Sequence, residues 1–157
     1  MAQAPVTIKA VHDAGGQLRW QFGDNIEGDA TISDCGKYRW SLSRDWTPPG
    51  EHSSAVLWVG MNPSTADALF DDPTCRREVN FSKSWGFSRY LKGNMLGYRS
   101  TDPSNLPVNP VEAEGPGNRV HLLAMANQVK LIVLCYGNLP NRYCLTSALM
   151  GPNSVIC

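Results

Sequence analysis

A chain of 157 residues with 42% apolar and 18% charged residues is long enough for one domain with a layered core, and unlike a disordered tract. A formal net charge of zero excludes a polyanion binder that works by bulk charge, so a contact with DNA or a nucleotide must use a local basic patch. Five cysteines, with no Cys-x-x-Cys pair and no adjacent His, argue against a disulfide framework and a structural zinc.

No apolar run approaches the ~18 residues a membrane span needs, and residues 1–9 lack the layout of a signal peptide. The expectation is a cytoplasmic protein with reduced thiols, no cofactor and no membrane partner.

Residues 1–28 read as a loose lead-in. Residues 29–46 read as an antiparallel hairpin at an edge of the fold, turning at Gly36, where a tight turn needs φ > 0. In its second arm Tyr38, Trp40 and Leu42 alternate with Lys37, Arg39, Ser41 and Ser43, the period of a half-buried strand. Thr47-Pro48-Pro49-Gly50 breaks the chain.

The α/β core is expected over 55–150. Ala55-Val56-Leu57-Trp58-Val59, continuously apolar, predicts a strand covered on both faces. Asp72-Pro73-Thr74 predicts a helix start, with Asp72 as N-cap, running to about residue 85. Residues 90–96 predict a strand interrupted by Lys92, Gly93 and Asn94. Residues 100–117 are expected to form a long ordered loop, 118–129 a helix, 131–137 a second buried strand and 141–150 a short closing helix. Strand-helix alternation then predicts a three-layer α/β sandwich, with a largely parallel central sheet and helices on both faces. In such a sheet ligands sit beyond the carboxyl ends of the strands, where Gly60, Gly97 and Gly137 begin their loops.

The densest polar cluster follows the first buried strand: Asn62, Ser64, Thr65, Asp67, Asp71, Asp72, Thr74, Arg76 and Arg77. Pro63 holds Asn62 extended, so its amide could position a water or simply satisfy a turn. Asn94, at a strand end, carries the donor and acceptor needed to read a base edge. Arg76, Arg77 and Arg99 are candidate phosphate contacts, or a solvated helix face and a loop anchor. Asp67, Asp71 and Asp72 could hold Mg²⁺ with retained waters, although Asp72 is better explained as the cap. His12, His52 and His121 have no nucleophile partner, and no Walker loop or Gly-x-Gly-x-x-Gly fingerprint is present.

Gly60-Met61-Asn62-Pro63-Ser64-Thr65-Ala66-Asp67, Asp71-Asp72-Pro73-Thr74-Cys75-Arg76-Arg77, Trp85-Gly86-Phe87, Asn94-Met95-Leu96 and Arg99-Ser100-Thr101-Asp102-Pro103 resemble a bacterial and phage family known only as domain of unknown function 1643. Gly60-Met61-Asn62-Pro63 is also similar to the Gly-Ile-Asn-Pro motif of the mismatch-specific glycosylases in the uracil-DNA glycosylase superfamily. That resemblance implies a uracil-DNA-glycosylase-like fold. It also implies that Asn62 places the hydrolytic water, that Asn94 reads the base with Ser64, Asp67 and Tyr98 near the ligand, and that the arginines contact phosphate.

The chain departs from the superfamily in lacking a His-Pro motif near its C-terminus, which leaves open a truncated chain or a non-catalytic relative. The leading expectation is a glycosylase-like hydrolase acting on a base in nucleic acid or on a nucleotide. The alternative is a non-catalytic nucleotide-, nucleic-acid- or protein-binding module that keeps the pocket. A Mg²⁺-dependent hydrolase is third.

Overall fold

The computed structural model describes residues 6–7, 18–143 and 154–156. In chain order these form β1 (Val6–Thr7), β2 (Leu18–Gln21), β3 (Glu27–Ile32), β4 (Arg39–Asp45), β5 (Ala55–Gly60), β6 (Phe70–Asp71), α1 (Pro73–Ser84), β7 (Arg89–Asn94), α2 (Pro110–Glu114), α3 (Asn118–Ala126), β8 (Leu131–Leu134) and β9 (Ser154–Ile156).

The main sheet runs β3-β4-β7-β5-β8, with β9 added beyond β8. β5 pairs in parallel with β7 on one side and β8 on the other, and β9 is parallel to β8. β3, β4 and β7 pair antiparallel. The sheet is therefore mixed, which corrects the expectation of a largely parallel one. The cause is the hairpin: it extends the sheet itself, with Leu42 to Asp45 of β4 laid against Arg89 to Lys92 of β7. Gly36 takes φ +72° at the hairpin turn, as the sequence requires.

The central strands alternate between two apolar layers. Val56, Trp58, Tyr90, Val133 and Leu42 pack against Cys75 and Val79 of α1. Leu57, Val59, Leu91 and Leu134 face the other way, toward Ala113 of α2 and Met125 of α3. Helices thus cover both faces of the sheet, because β5 is apolar at every position and has no solvated face.

The lead-in is not structureless where it is described. β2 pairs with β6, Trp20 opposite Asp71, and β3 already begins at Glu27. The half-buried pattern read for β4 also needs correction. Arg39 and Arg44 are both buried, because the segment from 62 to 71 folds over that face and offers carbonyl and carboxylate acceptors.

The long loop holds a short 3-10 turn at Pro103–Asn105 and α2. The helix read over 118–129 ends at Ala126 and the strand read over 131–137 at Leu134. Of the closing helix, residues 141–143 form one helical turn; the remainder lies outside the described residues. Among the described residues no helix is long and apolar enough to cross a membrane.

Candidate functional site

Side chains two apart on a strand share a face, and on the α1 side of the sheet these rows turn polar toward the carboxyl ends. β5 contributes Val56, Trp58, Gly60 and β7 contributes Tyr90, Lys92, Asn94, with Trp58 opposite Lys92 and Gly60 opposite Asn94. α1 is held over them by its cap: the Asp72 carboxylate accepts from the Cys75 N–H at 2.8 Å, and Pro73 starts the helix. Its inward side presents Cys75, Glu78, Val79 and Ser82, the i, i+3, i+4, i+7 spacing of one helix face, with one carboxylate on an otherwise apolar or small face.

Between these rows lies a cavity of about 130 Å³. Asn62 and Asn94 both line it, with Arg39, Glu78, Lys92 and Cys135. Gly60 makes the room: a Cβ there would sit 2.9 Å from both Asn94 Oδ1 and Lys92 Nζ. The Asn94 Oδ1 is buried and has no hydrogen-bond partner, an unmet acceptor in the cavity wall.

Asn62 is fixed by the loop it caps. Its Nδ2 donates to the carbonyls of Ser100, at 2.8 Å, and Pro63, at 3.1 Å. Both acceptors are carbonyls, so the amide orientation is determined and Oδ1 is the atom left over. Asn62 is therefore both a turn anchor and a cavity residue; the two readings of the sequence coexist.

Glu78 is the hub of the buried network. Its carboxylate accepts from Lys92 Nζ at 2.7 Å and from the Tyr90 hydroxyl at 2.6 Å. Burial, the largest single influence, would depress the Lys92 ammonium, but the charge and hydrogen bond of Glu78, with smaller contributions from Cys135 and Cys75, together hold the lysine above its ordinary range. Burial pushes the Cys135 thiol up to about 11 against the pull of Lys92, and pushes Tyr90 well above its usual value. The cavity wall thus offers an ammonium paired with the Glu78 carboxylate, the Arg39 guanidinium, a neutral thiol, and amides. A thiolate nucleophile is not among them.

Arg39 is a buried cation whose Nη1 donates to Ala66 O at 2.7 Å and whose Nε has no partner. No carboxylate ion-pairs with it among the described residues.

Of the residues singled out from sequence, the structure brings Asn62, Ser64, Asp72, Thr74 and Asn94 together at the cavity. Asp67 lies outside it, ion-paired to Arg19 and accepting from the N–H groups of Leu69 and Phe70. Tyr98 packs edge-on against Tyr38, 5.7 Å away. Arg76 lies over the Trp20 ring, while Arg77 lines a groove that adjoins the cavity. Arg99 donates to Gly36 O at 3.3 Å, and burial, reinforced by Arg39, lowers it to about 10. Asp71 is bound to Arg44 at 2.9 Å and Asp72 is the cap, so the three aspartates do not converge on a cation; among the described residues no group of metal-ligating side chains does.

Sequence reading missed Glu78, Lys92, Arg39 and Cys135 as neighbours. The signals were a carboxylate on the apolar face of α1 and the period-2 row Tyr90, Lys92, Asn94, which read as an interrupted strand.

The family model described as a protein of unknown function (DUF1643) matches residues 39–149, more than half of the sequence. The chain belongs to this family. No curated protein and no solved structure matches it. The DUF1643 span starts at Arg39 and contains every described residue that lines the cavity, whereas Arg19 and β2 lie before it.

Proposed function

We propose that this DUF1643 protein is a glycosylase-like hydrolase that takes a single nucleobase into the cavity and cleaves its N-glycosidic bond. One observation carries the reading: Asn62 and Asn94 line a single 130 Å³ cavity in which the Asn94 Oδ1 has no partner. An apolar cavity of about 150 Å³ accommodates benzene, so this volume suits one six-membered ring. A ring with a polar edge would meet the unpaired amide of Asn94, which offers an acceptor and a donor.

The chemistry asks little of the protein as a base. An amide cannot accept the proton of water, so Asn62 can only orient it. Orientation suffices where the sugar becomes oxocarbenium-like before attack. The C1′–N bond breaks with its electron pair on the base nitrogen, water oxygen bonds to C1′, and the water proton ends on the departing base. The Lys92 ammonium in the cavity wall favours the negative charge that develops on the base. The uracil-DNA-glycosylase-like fold belongs to the same proposal, supported by the parallel trio β7-β5-β8 and the loop that follows β5.

The test is base release from nucleosides and from oligonucleotides carrying modified or mismatched bases, measured in EDTA. Release by the native protein, lost in Asn62→Ala with base binding retained, is the expected result. A second reading, binding without turnover, is favoured because both carboxylates in the described cavity wall are engaged, Glu78 with Lys92 and Tyr90 and Asp72 with the cap of α1. Saturable base binding with no release would establish it, and neither binding nor release would reject both.

A further inference from the structure

Three aromatic rings stack beside the cavity. Trp58 and Trp85 are 5.3 Å apart at 10°, Phe81 and Trp85 5.9 Å apart at 28°, and Trp58 and Phe81 6.3 Å apart at 23°. Trp58 is buried and tied to Ser82 through its indole N–H, as a core residue should be. The other two are not: Phe81 is 47% and Trp85 48% exposed. Folding therefore accounts for the first ring and leaves two uncovered.

The charge around them is one-sided. The only carboxylate of α1 is Glu78, buried and neutralised by Lys92, so the exposed side of the helix carries Arg76, Arg77 and Lys83 with no acidic residue. Arg76 and Lys83 lie over the rings of Trp20 and Trp46. The Arg77 side chain makes no ion pair or hydrogen bond among the described residues. It lines a groove of about 290 Å³ with Trp58 and Phe81, and this groove shares Thr74, Glu78 and Cys135 with the cavity wall. The groove and the cavity thus lie on either side of a common wall, with Phe81 at the groove's edge.

We propose that Phe81 and Trp85, with Arg77, form a stacking platform for the unpaired bases that flank the one held in the cavity, so that the partner is a single-stranded nucleic acid. The inference rests on the base-pocket reading for what occupies the cavity. Aromatic faces interleaved with cations and poor in directional hydrogen-bonding groups bind bases by their π-faces, without regard to sequence. A duplex cannot use such a platform, because its base faces are already covered by neighbours. It explains how a chain of zero net charge can hold a polyanion: the charge is local to α1.

The experiment is fluorescence anisotropy with a short labelled oligonucleotide of mixed sequence, single-stranded or annealed to its complement, beside a separate measurement of free nucleoside binding. The single strand should bind at least about tenfold tighter than the duplex. Phe81→Ala and Trp85→Ala should each weaken it roughly 5- to 150-fold, the usual loss of one stacked base. Arg77→Ala, at an exposed position with no side-chain partner among the described residues, should weaken binding and flatten its salt dependence, and circular dichroism checks that each variant is folded. Nucleoside binding should survive all three substitutions.

Equal affinity for duplex and single strand, or variants that bind like the native protein, would overturn the platform whatever nucleosides do. No oligonucleotide binding at all overturns it too and leaves this face to a protein contact. Platform-dependent oligonucleotide binding without any nucleoside binding keeps the platform and rejects the cavity reading.

Discussion

Glu78 and Lys92 meet at 2.7 Å beneath the cavity, one from the inward face of α1 and one from the middle of β7, both almost fully buried. Two charges so far from water are held by their mutual attraction and by the Tyr90 hydroxyl on the second carboxylate oxygen. Removing one partner strands the other. Lys92→Met is expected to cost about 3–5 kcal/mol, whereas Glu78→Gln with Lys92→Met costs less than the single change, since the glutamine carbonyl still accepts from Tyr90. Urea denaturation of the three variants measures this; a double variant no more stable than Lys92→Met would contradict it.

The same pair sets an alkaline limit. Lys92 is raised above its ordinary 10.5 in the folded state: burial pulls it down, and Glu78, helped by Cys135 and Cys75, more than offsets that. A basic group raised on folding stabilises fully below its unfolded value and loses that contribution as pH climbs through the folded value. Tm is expected to fall above about pH 10.5 more steeply in the native protein than in the double variant. Parallel curves would refute the assignment.

Gly60→Ala tests the cavity directly. The added methyl would approach Asn94 Oδ1 and Lys92 Nζ at 2.9 Å, and Lys92 is pinned by Glu78, so the methyl occupies the space a ring would take. Overpacking of this kind costs about 1–3 kcal/mol. The variant is expected to fold and to lose nucleobase binding, read by calorimetric titration. Undiminished binding would show that the ligand sits elsewhere.

Asn118 donates to the carbonyls of Asn94 and Met95, at 3.0 and 3.2 Å, and so holds the end of β7 on which Asn94 stands. Asn118→Ala leaves two buried carbonyls without a donor, at a cost of about 1–3 kcal/mol. Asn118→Asp is expected to be worse, because it places an acceptor against acceptors. Thermal unfolding checks the order, and an aspartate variant as stable as the alanine one would speak against it.

Thiol chemistry separates the cysteines by environment. Cys35 is exposed at the hairpin turn and lowered, first by the Ser33 hydroxyl and then by the Lys37 N–H. Cys135 is raised to about 11 by burial, so its thiolate fraction near pH 7.5 is about three in ten thousand. Cys75 is raised further still by full burial. Iodoacetamide labelling with peptide mapping is expected to modify Cys35 long before Cys135 or Cys75. Comparable rates at Cys35 and Cys135 would mean that the cavity wall is open to solvent.

Elements whose cause is local were legible in the order of residues. The apolar run of β5, the Asp72-Pro73 start of α1, the Gly36 turn and the place of the loop beginning at Gly60 each follow from a few neighbouring residues. What those elements do to one another was set by packing between distant parts of the chain. Whether β4 would join the sheet antiparallel depended on its pairing with β7, far along the chain. Lys92 looked like an interruption because its partner, Glu78, is on another element and the benefit of the pair exists only once both are out of water. Asn62 and Asn94 are brought to one cavity by the parallel register that sets Gly60 beside Asn94, a relation between distant strands that no local pattern records.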